Sequence, residues 1–278
     1  MVELRITEQD KNKYTKNNVL TIDKAETITK LYCCHNKISS IDLLKCVNLE
    51  YIDCSNNNIS AIDLSKCVNL KYIDCSNNNI SSIDLSKCVK YLGCCINNIS
   101  SIGLSKCVNL KYLDCSINNI SSIDLLKCVN LEIFRCSNNN ISLIDPPNYT
   151  NFKYFECSNN NISSIDLSKC VNLRYFGCSN NNISSIDLSS CIKFEYLNCY
   201  NNNISRLIHN NIDNIKCYNN QIILFNFSKQ STYHNLICNH LIISNKTTDL
   251  HKYLVKKYFN INKTKNVKRV LLEQYSKL

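Results

Sequence analysis

The sequence has no tryptophan, one methionine, two prolines and three glycines in 278 residues. Average proteins carry roughly 7% glycine and 5% proline. A collagen-like or glycine-linker chain is therefore excluded, and the turns must be closed by other residues. No stretch approaches the ~20 consecutive apolar residues of a membrane-spanning helix. Residues 1–18 are polar and charged, unlike a secretory leader. Charged residues make up 19% and hydrophobic ones 44%, too apolar a mixture for a disordered chain. No nucleophile–base pair, phosphate loop or metal-ligand spacing is visible, so no catalytic residue, cofactor or metal is expected. What is abundant is cysteine, with 20 copies, and tyrosine, with 16. The chain is too long for a small disulfide scaffold.

The cysteines are periodic. Eleven fall in one column: Cys33, Cys54, Cys75, Cys94, Cys115, Cys136, Cys157, Cys178, Cys199, Cys217 and Cys238. The steps are 21 residues, except 19 before Cys94 and 18 before Cys217. One unit reads Leu70-Lys-Tyr-Ile73-Asp-Cys75-Ser-Asn-Asn78-Asn-Ile80. Its apolar residues and asparagine fall in the pattern L-x-x-L-x-L-x-x-N-x-L, with cysteine in the third apolar slot. The chain resembles the leucine-rich-repeat family, in its form with short units. The resemblance covers about four-fifths of the chain. It implies an α/β repeat solenoid, a horseshoe or arc with one parallel β-sheet on its concave face.

Physical chemistry leads the same way. Ile73 and Cys75 alternate with Asp74 and Ser76, the period of a half-buried strand. One such strand cannot bury its apolar side alone, and stacking the next copy ~4.8 Å away supplies the missing wall. The return segment, Ile80 to Val89, is short and rich in serine and β-branched residues. It should run extended or as 3-10 turns. Three regions follow: a polar segment at 1–19, the array at 20–243 with a half repeat and eleven strands, and a tail at 244–278.

The repeated polar residues have structural assignments. Asn57, Asn78, Asn97, Asn118, Asn139, Asn160, Asn181 and Asn202 should form an amide ladder satisfying backbone groups at the turn after each strand. That is also the role implied by the resemblance. The N-x-S/T triplets beside it read as by-products of the repeat. A second cysteine column, Cys46, Cys67, Cys88, Cys107, Cys128, Cys170 and Cys191, lies thirteen residues after the first. Both columns suit a small buried thiol. In-register neighbours ~4.8 Å apart are too far for a disulfide. Cys34 and Cys95 follow column cysteines by one residue and should point to solvent on the concave face. The aspartates Asp42, Asp63, Asp84, Asp124, Asp166 and Asp187 read as Asx-type caps on the convex side.

In the resembling family, the exposed concave positions usually bind the partner. Here one exposed column is Tyr51, Tyr72, Tyr91, Tyr112, Tyr154, Tyr175 and Tyr196, broken only at Ile133. Tyrosine is a common interface anchor. The rings could equally stack on one another and stabilise the sheet. The flanking columns mix charges of both signs. Departures from the repeat gather at Arg135, Glu156 and Tyr200, the first place to seek a tuned site.

After Ile243 the spacing becomes helical, and two short amphipathic helices should cap the array. Residues 244–278 carry nine Lys/Arg and two Asp/Glu, net +7 of the chain's +10. Lys256, Lys257, Lys263, Lys265, Lys268 and Arg269 form the densest cluster. Nucleic acid or an anionic surface is a conceivable partner there, although no base-stacking motif accompanies the charge.

The leading expectation is a non-enzymatic interaction scaffold, monomeric and cytoplasmic, that binds an unidentified protein on the concave face. Nucleic-acid or anionic-surface binding through the tail ranks second. An adaptor or substrate receptor in a ubiquitin-ligase-like assembly ranks third, on analogy alone. The abundance of asparagine, isoleucine and lysine matches AT-rich coding, as in a large DNA virus or a protist.

Overall fold

Strands of three residues recur wherever the two-residue alternation predicts them. A computed structural model describes residues 2–85, 89–144, 150–209, 214–221, 224–226 and 235–237. One parallel sheet of twelve strands runs through it. Eleven strands belong to the repeats, beginning with Ile28–Tyr32 and continuing through Tyr51–Asp53, Tyr72–Asp74 and Tyr91–Gly93 to Asn235–Ile237. Equivalent residues pair directly: Tyr51 with Tyr72, Ile52 with Ile73, Asp53 with Asp74. The 19-residue unit keeps this register, with Tyr72 opposite Tyr91. It lacks the Asn-Leu pair that follows the valine elsewhere. Val89 is buried in compensation, 2% exposed, whereas Val68 and Val108 are 41% and 42% exposed.

The twelfth strand is Val2–Arg5, parallel to Ile28–Tyr32, with Leu4 opposite Leu31. Ile6 is buried where later units place cysteine, and its N–H donates to the Tyr32 carbonyl at 2.8 Å. The polar segment read at 1–19 thus supplies an end strand to the sheet. Ala25 is buried and begins a short 3-10 turn, Ala25–Thr27.

The convex side is built of turns and short strands. Cys67 donates to Leu64 O at 3.0 Å, and Leu70 donates to Cys67 O at 3.2 Å. Two successive i→i+3 turns therefore pivot on the convex cysteine, and the same pair recurs at Cys107, Cys128 and Cys170. Three-residue strands lie beside them, at Ser82–Asp84 with Ser101–Gly103 and at Ser185–Asp187 with Arg206–Ile208. The aspartates cap as expected: Asp63 Oδ1 accepts the Ser65 N–H at 2.9 Å and Asp166 Oδ1 the Ser168 N–H at 2.8 Å. Those hydrogen bonds hold both carboxyls below their ordinary pKa.

Both cysteine columns line the core: Cys54, Cys75, Cys94 and Cys115 have no exposure, and neither do Cys46, Cys107, Cys128 and Cys170. The eighteen described cysteines are thiols. Cys88 and Cys238 lie outside the described residues. Burial pushes the thiols up, Cys46 to about 11 and Cys67 to about 12. Phe134, Phe155 and Phe176 form an aromatic segment of the core, with centroids 5.4 and 5.3 Å apart.

The sole α-helix among the described residues is the single turn Lys11–Tyr14, and no described helix is long and apolar enough to cross a membrane. The helical cap and basic cluster expected over 244–278 lie outside the described residues.

Candidate functional site: the concave sheet face

The buried asparagines fix the turn that ends each strand, and with it the concave face. Asn118 Nδ2 donates to Cys94 O at 3.0 Å in the preceding unit, and to Cys115 O at 3.1 Å in its own. Its Oδ1 accepts the Ile99 N–H at 2.9 Å. Asn57, Asn78, Asn97, Asn139, Asn160, Asn181 and Asn202 repeat the arrangement. At the first rung, Asn36 Oδ1 has no partner among the described residues.

Two further asparagine rows escaped the sequence reading. Asn69 Nδ2 donates to Val47 O at 3.1 Å and Asn130 Nδ2 to Val108 O at 2.9 Å, each clasping the unit before it. Among the described residues, the residue two after each column cysteine from Cys33 to Cys217 has a positive φ, near 55°, as at Asn56, Asn77, Asn180 and Asn201. Asparagine tolerates this left-handed backbone better than most residues, so it replaces glycine at the turn. These side chains also chain together, as in Asn201 Nδ2 to Asn180 Oδ1 at 2.6 Å. Ile96 and Ile117 take the same backbone with φ 56° and break the row. A β-branched residue there is strained.

The concave tyrosines are half-buried, because they stack on one another. Centroids of Tyr51 and Tyr72 are 4.2 Å apart, of Tyr72 and Tyr91 4.1 Å, and of Tyr91 and Tyr112 4.2 Å, with planes within 9°. Beyond Ile133 the column resumes with Tyr154 on Tyr175 at 4.2 Å and Tyr175 on Tyr196 at 5.1 Å. Each pair adds about 0.5–1.5 kcal/mol beyond area burial. Within a run, neighbouring rings cover each other's faces, so edges and hydroxyls are what the column presents. Burial is the main cause that pushes the hydroxyls of Tyr51, Tyr91, Tyr112 and Tyr175 above the ordinary tyrosine pKa.

Cations sit at both ends of the column and at its break. The Arg5 guanidinium lies 4.1 Å from the Tyr32 centroid, and Lys216 Nζ lies 5.8 Å from that of Tyr196. Arg135 lies 5.0 Å from the Tyr154 centroid and 5.9 Å from that of Tyr112. It occupies the space that Ile133 leaves by lacking a ring.

The outermost column is charged and internally paired. Glu132 bridges Lys111 at 3.0 Å and Lys153 at 2.6 Å, and those contacts hold its carboxyl below the ordinary range. Lys71 pairs with Glu50, and Arg174 with Glu195. Such exposed pairs contribute ~0–1 kcal/mol each.

Of the three residues singled out as a tuned site, two come together. Arg135 and Glu156 are register partners on adjacent strands. Tyr200 lies apart, stacked on Tyr218 at 4.6 Å. Cys34 and Cys95 are half-buried, a correction to the solvent-facing expectation. The sheet face around them partly covers both, and burial raises both pKa values.

A family model described as "Leucine Rich repeats (2 copies)" matches residues 26–66 and 47–87, and one described as "Leucine Rich Repeat" matches 69–107. No curated protein matches the sequence. Among solved structures, the chain is similar to the functional domain of InlJ from Listeria monocytogenes, which includes a cysteine ladder. The TM-score is 0.69 and the identity 23%, over 89% of this chain and 60% of that one. It is also similar to YopM from Yersinia enterocolitica, with TM-score 0.64 and 22% identity over 80% of this chain and 52% of that one. A third is the leucine-rich-repeat part of FLRT2 in an octameric complex with Latrophilin 3 and Unc5D. There the TM-score is 0.51 and the identity 17%, over 68% of this chain and 83% of that one. The chain spans about three-fifths of the InlJ chain and half of the YopM chain. Profile, register, buried cysteine columns and shared architecture agree: the chain carries leucine-rich repeats at 26–107 and has the leucine-rich-repeat solenoid fold, built from short, cysteine-bearing units.

Proposed function

We propose that the chain is a non-enzymatic interaction scaffold that captures a protein on its concave sheet face. The observation that carries this reading is the tyrosine column itself. It is two runs of amphipathic side chains held in register by the sheet, with Arg135 set into the break between them. Rings already stacked need little further ordering on binding, which lowers the entropic cost of association. Because neighbouring rings cover each other's faces, a base cannot stack on the runs, and a protein surface fits the edges and hydroxyls better. The family supports the same direction, since leucine-rich repeats commonly serve as interaction scaffolds, and FLRT2 was found in a complex with two other proteins. The buried thiol columns suit a reducing compartment such as the cytoplasm, where we place this scaffold as a monomer.

The test is affinity capture from a cell extract with the wild-type chain and with Tyr112, Tyr154 and Tyr175 changed together to alanine. The reading expects a protein recovered by the wild type and lost by the triple variant, with both chains folded by circular dichroism. A partner retained by the triple variant counts against it.

A further inference from the structure

Arg135 and Glu156 lie opposite each other on neighbouring strands, where opposite charges ordinarily pair. They form no ion pair. The Glu156 carboxylate is held by other donors: Tyr175 OH on the next strand donates to Oε2 at 2.8 Å, Ser137 Oγ, two residues after Arg135, to Oε1 at 3.2 Å, and the Ser158 N–H, two residues after Glu156, to Oε1 at 3.2 Å. The room for this comes from Gly177 on the next strand. A Cβ at that position would lie 2.0 Å from Glu156 Oε2.

Arg135 is left with a lighter set of contacts. Nη1 donates to Tyr112 OH at 3.3 Å, and Asp114 Oδ2 stands at 3.8 Å, beyond hydrogen-bond length. Stacking against Tyr154 and Tyr112 fixes the plane of the guanidinium, and its side chain remains 40% exposed. A guanidinium carries five N–H donors in a rigid fork that matches a carboxylate. Here the fork is oriented in advance, accessible, and held by neither register neighbour at hydrogen-bond length: Glu156 does not pair with it, and Asp114, its partner on the other adjacent strand, stands off at 3.8 Å. The nearby lysines Lys111 and Lys153, by contrast, already share Glu132 as an ion-pair partner.

We propose that Arg135 is an anion anchor that receives a carboxylate from an acidic segment of the protein partner. Glu156 is the alternative partner, kept away by Tyr175 and by the missing side chain at Gly177. This inference rests on the concave-face reading and adds the chemistry of what binds there.

Because the chain has no tryptophan, a tryptophan-bearing peptide can be followed by its own emission. The probe is a decapeptide of glutamates around one tryptophan, and the control carries lysine for glutamate. The wild type should bind the acidic peptide and not the basic one. Arg135→Gln should weaken binding roughly tenfold, as for loss of a charged hydrogen bond. Gly177→Ala should do the same with Arg135 intact, because its Cβ pushes Glu156 toward the guanidinium. Glu156→Gln should bind at least as well as the wild type. Thermal melts show whether each variant is folded, and Arg135→Gln alone decides the matter if Gly177→Ala is not. The anchor is overturned if Arg135→Gln binds like the wild type, if the wild type does not bind the acidic peptide, or if it binds both peptides equally. A partner captured from extract that the tyrosine variant loses and Arg135→Gln keeps leaves the scaffold standing and removes the anchor.

Discussion

Glu156 bonds to the Tyr175 hydroxyl at 2.8 Å instead of to Arg135, its register partner across the strands. The contact places an anion against a phenol that burial already keeps neutral. Burial first, and the Glu156 charge next, push the Tyr175 pKa up. The concave column is thus a stack of phenols in which Tyr51, Tyr91, Tyr112 and Tyr175 are held toward the neutral form by burial, with Arg135 set into its break.

Alkaline pH should therefore unfold the protein. The hydroxyls of Tyr51, Tyr91, Tyr112 and Tyr175 are raised above the ordinary tyrosine value of about 10. A group raised on folding contributes stability that is complete below its unfolded pKa and is lost as pH climbs through the folded one. The loss should begin near pH 10. Tyrosinate absorbance at 295 nm should rise together with loss of the far-ultraviolet dichroism, as one transition. Independent ionisation of the tyrosines in a folded protein would contradict this.

The buried amide ladder should be costly to interrupt. Asn118→Ala removes the donors to Cys94 O and Cys115 O and the acceptor for Ile99 N–H. The expected loss is ~1–3 kcal/mol for backbone groups left unpaired, read from urea unfolding. Asn69→Ala, on the outer row, breaks one exposed bond to Val47 O and should cost less.

Replacing two residues should raise stability. Ile96 and Ile117 hold a left-handed backbone and are 44% and 48% exposed. Asparagine relieves a strain of about 1–2 kcal/mol per position and can rejoin the row that links Asn56 to Asn77 at 2.7 Å. The double change to asparagine should increase the melting midpoint by several degrees, and an unchanged midpoint would argue against strain at both turns.

Thiol chemistry should separate the two half-buried cysteines from the core. Cys34 and Cys95 are the described cysteines outside the buried class. Maleimide labelling followed by mass spectrometry should modify them first. Cys54, Cys75 and Cys115 should react only after denaturant is added. Early modification of a column cysteine would contradict its core placement.

Most of the fold was legible because the same small solution is written repeatedly. The 21-residue spacing of the cysteines fixed strand, turn and face together, and a single Ile-Asp-Cys alternation sufficed to place the core. The end strand Val2–Arg5 was not legible, since Ile6 stands in for the cysteine and precedes Cys33 by 27 residues. The two outer asparagine rows were masked by the same abundance that revealed the inner one. Arg135 and Glu156 could be singled out as departures from the repeat. Their failure to pair could not be foreseen, because it depends on a competing hydroxyl one strand further on and on space beside Gly177.

The central claim is that the concave face, and not the opposite side of the coil, meets the partner. Side-chain footprinting by hydroxyl radicals, with the captured partner bound and removed, measures this directly. The account predicts protection of Tyr72, Tyr112, Tyr154 and Tyr175 on binding, and unchanged oxidation of the exposed Val68, Val108 and Val129. Protection of those valines with the tyrosines unchanged would contradict it.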